Sequence, residues 1–116
     1  MRPEKLYLRD ILEATDAIAQ YVTGITRQAF LDDDRSRSAT VYKLIIIGEA
    51  AAQLSEGLRK RHPSIPWSDI VGLRNIAVHA YHNLQWDIVW ATATQEVPRL
   101  RAQMLAILES EYPGDG

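Results

Sequence analysis

Val41-Tyr42-Lys43-Leu44-Ile45-Ile46-Ile47-Gly48-Glu49-Ala50-Ala51-Ala52-Gln53-Leu54 decides the fold class. Taken alone, Ile45-Ile46-Ile47 has the β-branched composition of a buried strand. The residues around it carry apolar side chains at helical steps for longer than a strand runs. The segment therefore reads as a helix, from about Ala39 to Lys60. It is apolar over most of its circumference, so it should be central, or present one face to a second subunit. Gly48 inside it costs about 1 kcal/mol relative to Ala in an exposed helix. The expected compensation is a neighbouring helix lying very close.

On the N-terminal side, Tyr7, Ile11, Ala14, Ile18 and Val22 recur at steps of three and four, which predicts a first helix from about Glu4 to Val22. Pro3 precedes it, where a missing N–H costs little, and Gly24 ends it. The polar stretch 32–38 reads as a loop leading to a helix N-cap, with its three aspartates as solvated, helix-start charge rather than a metal site. On the C-terminal side, Arg59-Lys60-Arg61-His62 closes the central helix ahead of Pro63. That cluster complements a helix C-terminus, and a phosphate contact is its second reading.

A third, short helix starts near Pro66 and carries Ile70, Leu73, Ile76, Ala77 and Ala80 on one face. Asn83 is a candidate cap for a fourth, from about Gln85 to Glu109, with Trp86, Val89, Trp90, Ala93, Val97, Leu100, Met104, Ile107 and Leu108 as its stripe. Pro98 should kink or break it near Val97. No segment alternates strictly, so no sheet is expected. The sum is an all-α, up-down bundle of four main helices in a single domain over 1–116, with a frayed tail at 113–116.

Composition narrows the function classes. The 116 residues fit one domain with an ordinary core. Cysteine is absent, which removes disulfides, thiolate metal sites and a cysteine nucleophile and suits a reducing cytoplasm. A net charge of −2 is unlike that of non-specific nucleic-acid binders, so any nucleic-acid contact must use a local patch. No apolar run approaches the roughly 20 residues that span a bilayer.

The third helix carries the chemistry. Arg74-Asn75-Ile76-Ala77-Val78-His79-Ala80-Tyr81 gathers a fixed cation, an amide, an imidazole and a phenol around an apolar anchor. Asn75 and His79 share a face, which His82 would join, and Arg74 and Tyr81 share another. Arg74 and His79 diverge by about 140° around a regular helix axis. They can work together if the helix ends near His79, or if a second copy of the helix crosses the first. Imidazole is the usual acid or base near neutral pH, and guanidinium grips phosphate with two hydrogen bonds. Together they suit attack of an RNA 2′-hydroxyl on the adjacent phosphodiester, which needs RNA and no metal ion. The plain alternatives are a His that caps a helix end, an Arg in an ion pair and a half-buried Tyr. On residue chemistry alone these outrank catalysis. A metal site on His79 and His82 ranks lower still, for want of a third ligand. Glu49, in an apolar run, should be buried and paired. Arg74 is the candidate partner, which makes Glu49 either an orienter of that Arg or a structural ion-pair member.

The segment Arg74 to Tyr81 resembles the R-x4-H-x-Y signature of HepT-like toxins of the HEPN superfamily. Tyr7-Leu8-Arg9-Asp10-Ile11-Leu12, Ile46-Ile47-Gly48-Glu49-Ala50, His62-Pro63-Ser64-Ile65-Pro66-Trp67, Gly72-Leu73-Arg74-Asn75 and Asp87-Ile88-Val89-Trp90 are similar to that family in the same order. His82-Asn83-Leu84-Gln85-Trp86 departs from its usual aromatic-glycine-aliphatic-acidic pattern. The resemblance implies a homodimeric, all-helical, metal-independent ribonuclease that is the toxin of a toxin–antitoxin pair. It implies catalytic Arg74 and His79, assisted by Asn75. It further implies a small nucleotidyltransferase antitoxin that transfers AMP from ATP onto Tyr81; the toxin itself needs no cofactor. Arg59, Lys60, Arg61 and His82 are candidate RNA contacts. The competing expectation is a non-catalytic nucleotide-binding or partner-docking subunit of a nucleotidyltransferase complex.

Overall fold

The computed structural model describes residues 2–83 and 85–114, with the backbone alone at 81 and 83. The described residues form helices and turns, with no strand among them. Helix α1 spans Glu4–Val22, as its stripe predicts, and buries Leu8, Ile11, Ala14, Ile18 and Val22. Gly24 follows with φ +81°, the left-handed conformation that stops a helix.

A helix that the periodicity did not announce comes next. Helix α2, Arg27–Asp32, is capped by Thr26, whose hydroxyl accepts from the Ala29 amide at 3.0 Å. It buries Phe30 completely, against the Trp90 ring at 5.1 Å between centroids.

The central helix α3 spans Asp34–Ala52, not 39–60. Asp33 is its N-cap and accepts from the Arg35 amide at 3.2 Å and the Ser36 hydroxyl at 2.6 Å. The polar run expected as a loop is thus mostly the first turns of a helix, because an aspartate cap and first-turn acid favour that end. The Ile45-Ile46-Ile47 run is helical throughout.

The helix stops at Ala52, and a separate helix α4, Glu56–Arg61, begins after the Ser55 cap. The Arg59 guanidinium reaches back and donates to the Ala51 carbonyl at 2.7 Å, serving the end of α3 rather than that of α4. The Ser55 amide donates to the Glu4 carboxylate, which ties α4 to the start of α1.

The expected third helix is built in three pieces: α5, Trp67–Gly72, a 3-10 turn, Leu73–Asn75, and α6, Ile76–Asn83. Asn83 belongs to α6, and Gln85 takes the cap position of the next helix; the capping role expected of the Asn83 side chain lies outside the described residues.

The expected fourth helix is also divided, into α7, Trp86–Ala91, a π-helical turn, Thr92–Glu96, and α8, Val97–Glu111. Pro98 occupies the first turn of α8, so its missing N–H is absorbed by the widened turn before it. Thr92 and Thr94 donate their hydroxyls back to the carbonyls of Ile88 and Trp90, both at 2.8 Å, which bends a helix in the same place. Helix α1 packs chiefly between α3 and α8, and α3 also receives α5 and the 3-10 turn. Of the expected frayed tail, residues 115–116 lie outside the described residues. Among the described residues no helix is long and apolar enough to cross a membrane.

Candidate active site

The motif is held from beneath by its apolar half. Ile76 and Ala80 are buried, and Leu73 and Ala77 are partly buried against the same core. Arg74, Asn75, Val78, His79 and His82 are all exposed. Projected down the 3-10 turn and α6, these exposed side chains fall on one side, with Arg74 toward one edge and His79 toward the other. Val78 lies between them, 59% exposed, an apolar residue in the middle of a polar stripe.

The Arg74 edge is fixed by α3. A Cβ built on Gly48 would lie 2.4 Å from the Arg74 amide nitrogen and 3.0 Å from both the Arg74 Cβ and the Val71 carbonyl oxygen. The close neighbour expected for Gly48 is therefore the 3-10 turn that carries Arg74. The backbone of α3 and the root of that side chain touch, while the guanidinium stays exposed.

Glu49 requires a correction. It is exposed, not buried, and among the described residues it forms no ion pair with Arg74. It lines a shallow groove between α1 and α3 with Tyr7, Asp10, Ile46 and Gln53. Gly48 takes a position on α3 that lies directly against the turn. The next residue is rotated by about 100°, toward solvent on the α1 side.

The basic residues near 60 have partners inside the protomer. Arg59 caps α3, and Lys60 pairs with Glu56 at 3.0 Å. Arg61 makes two hydrogen bonds to Glu111, at 2.7 and 3.1 Å. His62 Nε2 lies 2.9 Å from the same carboxylate. Together Arg61 first and His62 second hold the Glu111 carboxyl down, from 4.5 to about 2. The cluster is foremost a clasp between α4 and the end of α8. The Tyr81 side chain, expected to be the modified group, lies outside the described residues.

The structure thus brings Arg74, Asn75, His79 and His82 to one exposed surface and leaves Glu49 and the residues 59–61 in other contacts. Four clefts among the described residues are lined without Arg74, Asn75 or His79. The cleft nearest in sequence, about 460 Å³ between α5 and α8, takes Leu73 into its wall but not Arg74, Asn75 or His79. Among the described residues no three His, Asp or Glu side chains gather as a metal-binding cluster. Two contributions escaped the sequence reading: the identity of Gly48's neighbour, and the capping of α3 by Arg59. A glycine within a long apolar helix was the available signal for the first; the second carries none.

Comparison with known proteins gives a consistent result. Residues 11–107 match the family described as ribonuclease HepT-like. A provisionally named RNase of Caldanaerobacter subterraneus subsp. tengcongensis is 34% identical over 96% of this chain and 99% of its own length. The probable ribonuclease HepT of Thermococcus cleftensis is 32% identical over 88% of this chain and 93% of its own. A provisionally named RNase of Methanocaldococcus jannaschii is 31% identical over 89% and 94%. No solved structure gives a significant match.

Proposed function

The chain belongs to the HepT-like ribonuclease family, and from that membership we propose that it is a metal-independent endoribonuclease whose working site is completed by a second copy of the chain. One observation carries this reading. The guanidinium, amide and imidazole of the motif are exposed on a well-anchored helix face, and four clefts among the described residues are lined without them. A cleft for a phosphodiester needs a second wall, and a symmetry-related α6 supplies one with the same groups.

In the proposed reaction a His79 imidazole accepts the proton of an RNA 2′-hydroxyl as its oxygen attacks the adjacent phosphorus. The bond from phosphorus to the 5′-oxygen breaks, and that oxygen takes a proton from the His79 of the other copy. The products are a 2′,3′-cyclic phosphate and a 5′-hydroxyl. Arg74 stabilises the charge on the equatorial phosphoryl oxygens, and Asn75 orients the imidazole or the phosphate. His82, on the same stripe as Asn75 and His79, is a further RNA contact.

The same reading includes control by a nucleotidyltransferase antitoxin that transfers AMP from ATP to the Tyr81 phenol, with pyrophosphate leaving. Tyr81 is seven residues from Arg74, a spacing that on a regular helix puts two residues on one face. An AMP group there would place a phosphate where the RNA phosphate belongs. A mass gain of whole AMP units with the enzyme and ATP, lost in Tyr81→Phe, tests this; an unchanged mass sinks it.

The test of the activity is incubation of the purified protein with RNA in excess EDTA. Cleavage should persist in the parent, vanish in His79→Ala and fall by orders of magnitude, to a slow but measurable single-turnover rate, in Arg74→Ala, with both variants folded and associated as the parent is. Tight RNA or nucleotide binding without any cleavage would point instead to a docking subunit.

A further inference from the structure

We infer that Gly48 is a positioning residue for Arg74: the bare backbone of α3 at this point sets where the guanidinium leaves the protein relative to His79. The inference rests on the proposed ribonuclease reading and adds a residue that touches neither RNA nor the reacting atoms.

Two facts carry it. A Cβ on Gly48 would meet the Arg74 amide nitrogen at 2.4 Å, a backbone contact that no side-chain rotation relieves. The same Cβ would come within 3.0 Å of the Arg74 Cβ, the atom from which that side chain starts. The other end of the motif is seated independently, because Ile76 and Ala80 fix α6 and hence His79. The separation of the two reactive groups therefore depends on how far the 3-10 turn stands from α3. Gly48 sets that distance. Arg74 combines a root clamped against a helix with a head free in solvent, which is the arrangement of a side chain held ready for a ligand rather than packed for stability.

A substitution here should act on the chemistry through Arg74. Gly48→Ala must push the turn outward, and a misplacement of about 1 Å is enough to lower kcat by about 100-fold. KM for RNA should change little, because the guanidinium is retained. The discriminating measurement is a double-mutant cycle under single-turnover conditions. In the Arg74→Ala background, Gly48→Ala should cause no further loss in rate. Ile107→Val in α8, tested at a temperature giving the same folded fraction, should leave kcat at the parental level. Equal proportional losses from Gly48→Ala with and without Arg74, or a Gly48→Ala rate matching that of Ile107→Val, would overturn the inference while the ribonuclease reading stands. A parent that does not cleave RNA overturns both.

Should Gly48→Ala fail to fold, hydrogen exchange on the unmodified protein decides. The Arg74 amide should exchange as slowly as the buried amides of α3. Exchange faster by orders of magnitude would mean that the turn opens without α3, and the inference fails.

Discussion

Arg61 and Glu111 meet across 50 residues of chain in a two-pronged ion pair, Nη2 to Oε1 at 2.7 Å and Nε to Oε2 at 3.1 Å. The carboxylate side chain is 17% exposed and also faces His62 Nε2, while the Arg61 side chain is 55% exposed, so the pair is partly screened by solvent.

The pair makes stability depend on acid in a definite direction. The folded-state value of Glu111, about 2, lies below its ordinary 4.5. Its contribution is therefore complete above the ordinary value and is lost as pH falls toward the folded one. Urea unfolding of the parent between pH 5 and pH 2 should show a steeper loss than that of Glu111→Gln. At neutral pH the variant should be weaker by about 1 kcal/mol. Parallel acid profiles would contradict the clasp.

Arg59 should matter for folding before it matters for RNA. Its hydrogen bond to the Ala51 carbonyl is charge-assisted and part-buried. Arg59→Ala should lower stability by about 1.5–3 kcal/mol. Lys60→Ala, which breaks a pair whose side chains are 74% and 81% exposed, should cost less than about 0.5 kcal/mol. Chemical denaturation of the two variants checks the ranking, and the opposite order would contradict the capping role.

The two-copy site makes a prediction about mixtures. If both His79 side chains serve one scissile bond, a single altered subunit silences the dimer. Parent and His79→Ala chains, mixed equally and allowed to exchange, should retain about a quarter of the parental activity, against about half for independent sites. The dependence on parental fraction should be quadratic; a straight line would place a complete site in each protomer.

The all-α fold was legible because the apolar steps of α1, α3 and the later helices persist over many turns, long enough to outweigh the strand-like Ile45-Ile46-Ile47. Helix ends and breaks were less so. Helix α2 has little apolar periodicity of its own and depends on the Thr26 cap and on Phe30 meeting Trp90, a contact 60 residues distant in sequence. The stop at Ala52 is served by Arg59 from the following helix, and no local residue announces it. The motif's exposed and buried halves could be read from spacing alone, since Leu73, Ile76, Ala77 and Ala80 fall on one face. Glu49 could not: its apolar neighbours suggest burial, but the helix turns it away from the face that Gly48 presents.

Both outermost helices are fastened to the same short element. Glu4 holds the start of α4 through the Ser55 amide, and Glu111 holds its end through Arg61 and His62. Joining α8 to α1 by a flexible linker and reopening the chain at the exposed turn of Gly24 should thus give a circular permutant with the same arrangement of helices. The reactive face, assembled from the middle of the sequence, would then be available for display or fusion at a new pair of termini without those attachments crowding α4.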